Sequence, residues 1–177
     1  RLLDAEHHAL DLAYHDPLTG LNNQRYMTTL FDQALLLAMR PHQVLAVIYI
    51  DLDNFKPNND PAGHFVGDEV LKAIAQRLRE STRSTDICAR VGGDEFVIIV
   101  TQLENEEDVR LIAEKILRQC RTSISVDQKT YQLGASLGVS IYPLHSTDLG
   151  SLLKMADKAM YEIKKNGKSG YQIYSEL

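Results

Sequence analysis

The sequence predicts an α+β fold, a ferredoxin-like antiparallel sheet covered by helices on one side. Three observations carry that expectation. Apolar runs of strand length, Val44–Ile50 and Phe96–Val100 among them, alternate with segments whose apolar residues recur at helical spacing. The order strand, helix, hairpin, helix, strand is that of a split βαβ arrangement. The 177 residues carry no internal repeat or low-complexity linker and suffice for one core.

Residues 1–15 read as a helix, too short to establish a coiled coil although Leu3 and Leu10 lie seven apart with His7 between them. The segment Asp16-Pro17-Leu18-Thr19-Gly20 breaks it, because Pro17 restricts the residue before it. Asn22 or Asn23 then caps a second helix, whose face is Met27, Leu30, Phe31, Ala34, Leu35 and Ala38 and which Pro41 ends. Val44–Ile50 is continuously apolar, as a strand buried on both faces should be. After an acidic segment over 51–68, a helix opening near Gly67 carries Val70, Leu71, Ile74, Ala75 and Leu78. Ile87–Val91 and Phe96–Val100 form a hairpin around Gly92-Gly93-Asp94-Glu95, and the glycine pair predicts positive φ in a tight turn. Val109, Ile112, Ala113, Ile116, Leu117 and Cys120 mark the next helix. Ile124–Val126 and Tyr131–Ile141 read as two strands around Asp127-Gln128-Lys129. A last helix from Leu149 through Ile163 stops near Gly167, and Tyr171–Tyr174 reads as an edge strand.

Composition excludes some functions. With 19 basic against 24 acidic residues, the net charge of −5 argues against a nucleic-acid binder driven by backbone phosphates. Cys88 and Cys120 lack metal or redox spacing and read as buried, reduced thiols. The longest apolar run is far short of a helical membrane span, and no signal peptide is visible. The chain opens at Arg1 in mid-pattern, so it reads as a domain cut from a longer protein.

Three clusters carry chemistry. Asp51 and Asp53 sit two apart in extended chain, on one face. With Asp94 and Glu95 at the tip of a neighbouring hairpin, Asp51 can share a hard divalent cation with substrate phosphates; the competing view is solvated turn acids. The loop Phe55-Lys56-Pro57-Asn58-Asn59-Asp60-Pro61-Ala62-Gly63-His64, with Gly67-Asp68, offers backbone donors and Lys56 as an anion cradle. Asp68 can accept from guanine N1–H and its exocyclic amine, and Asn59 can bond the same edge. Alternatively Asp68 is a helix N-cap and His64 a structural loop residue. Asp157, Tyr161, Lys164, Lys165 and Lys168 gather at the end of the last helix. There, lysines either answer the helix dipole or reach a polyphosphate.

Together these residues closely resemble the GGDEF family of diguanylate cyclases. The likeness runs from about Asp16 to the C-terminus. It rests on Asp16-Pro17-Leu18-Thr19-Gly20-Leu21-Asn22-Asn23, Asp51-Leu52-Asp53-Asn54-Phe55-Lys56, Asn59-Asp60, Gly63-His64 and Gly67-Asp68. It continues in Arg90-Val91-Gly92-Gly93-Asp94-Glu95-Phe96, Ser136-Leu137-Gly138 and Ala156-Asp157-Lys158-Ala159-Met160-Tyr161. The resemblance implies a palm-type, nucleotidyl-cyclase-like domain over 16–177, with 1–15 as a stalk. It implies condensation of two GTP into cyclic di-GMP with release of pyrophosphate, in a homodimer. By motif position, Asp51, the Leu52 carbonyl and Asp94 hold Mg²⁺ or Mn²⁺, with Glu95 a further ligand or the base. Asn59 and Asp68 read guanine beside Phe55, while Lys56, Lys164 and Lys168 contact phosphate.

Arg83-Ser84-Thr85-Asp86 stands at the spacing of the family's Arg-x-x-Asp inhibitory site, which implies feedback by cyclic di-GMP; the alternative is a surface ion pair. Gln24, Asn22 and Ser169 depart from the family's usual Arg, Pro and Asn. The ending from Tyr171 to Leu177 resembles the join before an EAL phosphodiesterase domain. Three readings follow: an enzyme, a GTP-binding regulatory module without turnover, and a cyclic di-GMP receptor. A regulatory or EAL domain is expected elsewhere in the full-length protein, and a cytoplasmic placement follows from the GTP substrate and the thiols.

Overall fold

The computed structural model describes residues 1–39, 42–55 and 61–175. Its elements in chain order are α1 (Leu2–Tyr14), α2 (Gln24–Met39), β1 (Val44–Asp53), α3 (Pro61–Glu80), β2 (Ile87–Arg90) and β3 (Glu95–Leu103). They continue with α4 (Glu107–Arg121), β4 (Ile124–Val126), β5 (Lys129–Tyr131), β6 (Gly134–Tyr142), α5 (Leu149–Lys165) and β7 (Gly170–Ile173).

The long β1 is the middle strand of a five-stranded sheet ordered β2-β3-β1-β6-β7. Its β-branched residues suit a pleated surface packed on both sides. Ala46, Ile48, Ile50 and Leu52 face α3 and α4, in a cluster with Phe96, Ile98, Ile74 and Ile116. Leu45, Val47 and Tyr49 face the other way, against Met27 and Phe31 of α2 and Leu152 and Ala156 of α5. Each of the fully buried Ile48, Ile50 and Ile98 contributes about 1.5–3 kcal/mol of transfer free energy.

Helices therefore cover both faces, not the one expected. The reason is the period of two: β1 presents apolar side chains alternately to each side, and both must be covered. The sheet is antiparallel except at its edge, where β7 runs parallel to β6.

Other expectations are also corrected. β1 runs on to Asp53, so Asp51 and Asp53 lie within the strand rather than after it. The helix expected near Gly67 starts at Pro61, a favoured first-turn residue. Asp68 is therefore inside α3 and does not cap it. The predicted strand over Tyr131–Ile141 is divided: Asp127 (φ 49°) and Gln128 (φ 68°) close a separate β4–β5 hairpin before β6 begins. Asn23, not Asn22, caps α2, with its Oδ1 accepting from Tyr26 N at 2.8 Å. Asn22 instead donates to the Cys88 carbonyl at 3.0 Å. Pro41 lies outside the described residues.

One close approach sets the position of α5. A Cβ on Gly138 would lie 1.8 Å from the Ala156 carbonyl oxygen and 2.4 Å from Met160 N. Only glycine allows the helix backbone to rest directly on β6 there. Asp157 and Lys164 reach the end of β1 because of it.

Candidate active site at the end of the central strand

Antiparallel pairing places Asp51 opposite Glu95 of β3 on one side and opposite Ser136 of β6 on the other. The strand end and the hairpin tip expected to cooperate are thus direct neighbours. The hairpin itself differs from expectation, since neither Gly92 nor Gly93 has positive φ. Four residues connect β2 to β3, and Arg90 ties them: its Nε donates to the Gly92 and Gly93 carbonyls at 3.1 Å, and its Nη2 to Gly93 O at 2.8 Å. The same guanidinium pairs with Asp16, Nη1 lying 3.2 Å from both carboxylate oxygens. Neither glycine supplies a positive φ, and only Gly92 is short of space. A Cβ on Gly92 would sit 3.2 Å from Glu95 Oε2, and one on Gly93 would meet nothing within 4 Å. Gly93 leaves the backbone open towards the neighbouring cleft.

The acids are unevenly satisfied. Asp51 Oδ1 is buried and has no hydrogen-bond partner among the described residues. Asp51 Oδ2 lies 3.2 Å from Lys164 Nζ, which also stands 3.5 Å from Asp53 Oδ1. Burial pushes Asp51 up to about 6, the Asp94 charge adding to it and Lys164 opposing. Glu95 accepts a hydrogen bond from the Tyr49 hydroxyl at 2.7 Å. Burial, and then that carboxylate, hold the Tyr49 phenol well above its usual range. Burial and the Glu95 charge likewise raise Asp157 on α5.

An unpartnered buried carboxylate oxygen amid other negative groups fits a divalent cation. Among the described residues no group of three or more His, Cys, Asp or Glu forms a ready-made cage. Asp51, Asp94 and the Leu52 carbonyl are the groups that would hold the cation, with Glu95 a further ligand or the base.

Beside the hairpin lies a cleft of about 280 Å³, lined by Phe55, Gly67, Asp68, Arg90, Gly93 and Asp94 among others. Phe55, expected to bind substrate, and Asp68, expected to read guanine, thus line one cleft with Asp94. Lys168 is exposed and donates to Asn54 Oδ1 at 2.8 Å. Lys56 and Asn59 lie outside the described residues.

Arg83 and Asp86 form a separate corner. Asp86 Oδ2 accepts from Arg83 N at 2.8 Å, and Oδ1 accepts from Thr101 N at 3.0 Å and from Arg83 Nη2 at 3.4 Å. The Asp86 side chain is 4% exposed, against 52% for Arg83. The acid braces the chain, and the arginine is the accessible partner.

Sequence reasoning missed Tyr49 and gave Arg90 and Asp53 no role of their own. Tyr49 was within reach, because it precedes Asp51 by two on a strand and so shares its face. The roles of Arg90 and Asp53 depend on turns that no periodicity encodes.

A family description, "Diguanylate cyclase, GGDEF domain", matches residues 13–170. MucR of Pseudomonas aeruginosa, a bifunctional diguanylate cyclase/cyclic di-GMP phosphodiesterase, is 36% identical over 173 residues, covering 98% of this chain and 25% of its own length. TpbB, a diguanylate cyclase of the same species, is 36% identical over 98% of this chain and 40% of its own. The solved GGDEF domain of TpbB superposes with a TM-score of 0.86, covering 92% of this chain and 95% of that one. The coiled coil and GGDEF domain of DgcB from Caulobacter crescentus, in complex with c-di-GMP, gives 0.82 at 25% identity, over 98% and 92%. The chain spans 25% and 40% of the length of these two curated relatives. By the extent of these matches, the chain belongs to the GGDEF domain family of diguanylate cyclases.

Proposed function

We propose that this domain condenses two GTP molecules into 3′,5′-linked cyclic di-GMP, with two copies each presenting one GTP. The observation that carries the reading is the unpartnered, buried Asp51 Oδ1 beside Glu95, with Lys164 3.2 Å from the other oxygen. Each 3′-hydroxyl attacks the α-phosphorus of the opposite GTP; the new P–O bond forms, the α–β bond breaks, and pyrophosphate leaves. Mg²⁺ or Mn²⁺, when bound, would neutralise charge on the phosphates. Asp51, Asp94 and the Leu52 carbonyl are the groups that would hold it beside the triphosphate. Glu95, fixed by Tyr49, accepts the hydroxyl proton or completes the ligand set. Lys56, Lys164 and Lys168 stabilise the polyphosphate, and Phe55, Asn59 and Asp68 select guanine. A triphosphate would draw Lys164 from the aspartates it now bridges.

One GTP site cannot close a two-nucleotide ring, so catalysis requires a homodimer. Product feedback at Arg83 and Asp86 is part of the proposal, supported by relatives solved with c-di-GMP. Asp86 would act mainly by holding Arg83 in place. Further domains in the full-length protein are supported by the short share of each relative that the chain spans and by the paired activities in MucR's name.

The test is to incubate purified protein with GTP and Mg²⁺ and to assay cyclic di-GMP by mass spectrometry. Turnover is expected in wild type and should be absent in Glu95→Gln, whose GTP binding persists. A wild type that stays silent when dimerised by a fused coiled coil would sink the enzyme reading.

A further inference from the structure

We propose that Asp53 is a positioning residue, latching the turn after α5 to the end of β1 so that Lys164 and Lys168 point at the triphosphate. The inference rests on the GTP reading above. Asp53 is only 2% exposed, and a buried carboxylate persists only when paired and hydrogen-bonded. Both of its oxygens are engaged. Oδ1 accepts from Ser136 Oγ at 2.7 Å and lies 3.5 Å from Lys164 Nζ. Oδ2 accepts from Ser169 N at 2.8 Å. Unlike Asp51, two residues away on the same face, Asp53 has no orphaned oxygen to offer a cation.

The latched turn is strained. Lys168 (φ 65°) and Ser169 (φ 57°) are consecutive left-handed residues, neither of them glycine. Such a conformation survives only where the surroundings impose it. Two grips do so. Asp53 holds the Ser169 N–H from inside, while Arg121 of α4 holds Ser169 from outside, Nε donating to Oγ at 2.9 Å and Nη2 to the carbonyl at 2.7 Å. With Ser169 fixed, Lys168 Nζ meets Asn54 Oδ1 at 2.8 Å, one residue beyond Asp53. A Cβ on Gly134 would lie 2.9 Å from Asp53 Oδ2 and 3.1 Å from Ser169 Oγ, so the facing strand leaves room for the latch. In this arrangement Asp53 acts through the two lysines rather than on the substrate.

Asp53→Asn keeps the shape but cannot accept at both positions, and Arg121→Met removes the outer grip from the surface. Calorimetry with Mg²⁺ measures GTP and GMP affinity for both, alongside KM and kcat. Asp53→Asn should weaken GTP and raise KM by about 5–10-fold, with GMP affinity unchanged and kcat within about twofold. Arg121→Met should act in the same direction by about 2–3-fold. Adding Lys168→Ala to Asp53→Asn should cost less than the sum of the two singles, because both changes act on one interaction. Equal weakening of GTP and GMP, or full additivity, would overturn the proposal by making Asp53 a plain structural acid. If Asp53→Asn does not fold, Arg121→Met decides, and unchanged GTP affinity and KM in it would overturn the latch. A wild type that binds no GTP defeats the functional reading itself, whereas failure in the variants alone defeats only the latch.

Discussion

At the Arg83 corner, Asp86 accepts from two backbone N–H groups and a guanidinium, and almost none of its side chain meets solvent. At the end of β1, Asp51 is also largely buried, yet one oxygen has no partner among the described residues and the nearest acids add to its difficulty. Both aspartates belong to short motifs, Asp51 to Asp51-Leu52-Asp53 and Asp86 to Arg83-Ser84-Thr85-Asp86. A buried carboxylate answered by the protein's own donors is part of the framework. One left unanswered, and raised in pKa by its neighbours, is held for something that arrives later. That contrast is a stronger guide to function than either residue's proximity to the Gly-Gly turn.

The sharpest way to break the comparison is to neutralise each acid in turn. Asp51→Asn should cut cyclic di-GMP formation by at least about 10²-fold, or about 2.7 kcal/mol of transition-state stabilisation, without loss of thermal stability. Initial rates at saturating GTP and metal measure it; a variant within tenfold of wild type would remove Asp51 from the site.

Asp86→Asn should do the reverse. An amide can accept at one position only, so Arg83 N or Thr101 N loses its buried acceptor, and unfolding in urea should show a loss of about 1–3 kcal/mol. Initial turnover, before product accumulates, should stay within about threefold if the corner is structural. A variant of unchanged stability but impaired initial rate would place Asp86 among the working acids.

Much of this layout is written in the sequence. The apolar run of β1 and the helical spacing of Met27, Phe31 and Ala38 report burial, and burial is what periodicity encodes. The pairing of Asp51 with Glu95 was legible as a neighbourhood, because a hairpin beside a central strand has few places to put its tip. Three features need more than the element order. The continuously apolar β1 already requires cover on both faces, whereas the element order does not say on which faces α2 and α5 pack. The glycine pair suggested a twisted tight turn, whereas Arg90 ties a wider one from outside. The split of Tyr131–Ile141 falls at Gln132 and Leu133, between the end of β5 and the start of β6, and no break in the apolar pattern marks it. In the site, Asp51 and Asp53 look alike in sequence. Only the donors brought by Ser136 and Ser169 separate them.

The smallest expected effect tests the orphaned oxygen itself. In the metal-free protein, burial and the Asp94 charge push Asp51 to about 6, against an ordinary value of 3.8. Between those values the folded chain keeps a proton that the unfolded chain has released. Asp51 therefore favours folding below about pH 4, and that contribution is lost as pH rises through about 6. Near pH 7 the ionised carboxylate costs on the order of 1 kcal/mol once solvent screening is allowed for. Asp51→Asn removes that cost, so the metal-free variant should melt about 2–4 °C above wild type near pH 7, with the gain shrinking near pH 4.5. Adding Mg²⁺ with GTP should reverse the order, since wild type gains stability from the bound ligand and the variant gains less. Scanning calorimetry with a chelator, and then with Mg²⁺ and GTP, reads both effects. A metal-free variant that melts below wild type at both pH values would mean that the Asp51 carboxylate is already satisfied by the protein, as Asp86 is, and the contrast between the two corners would be lost.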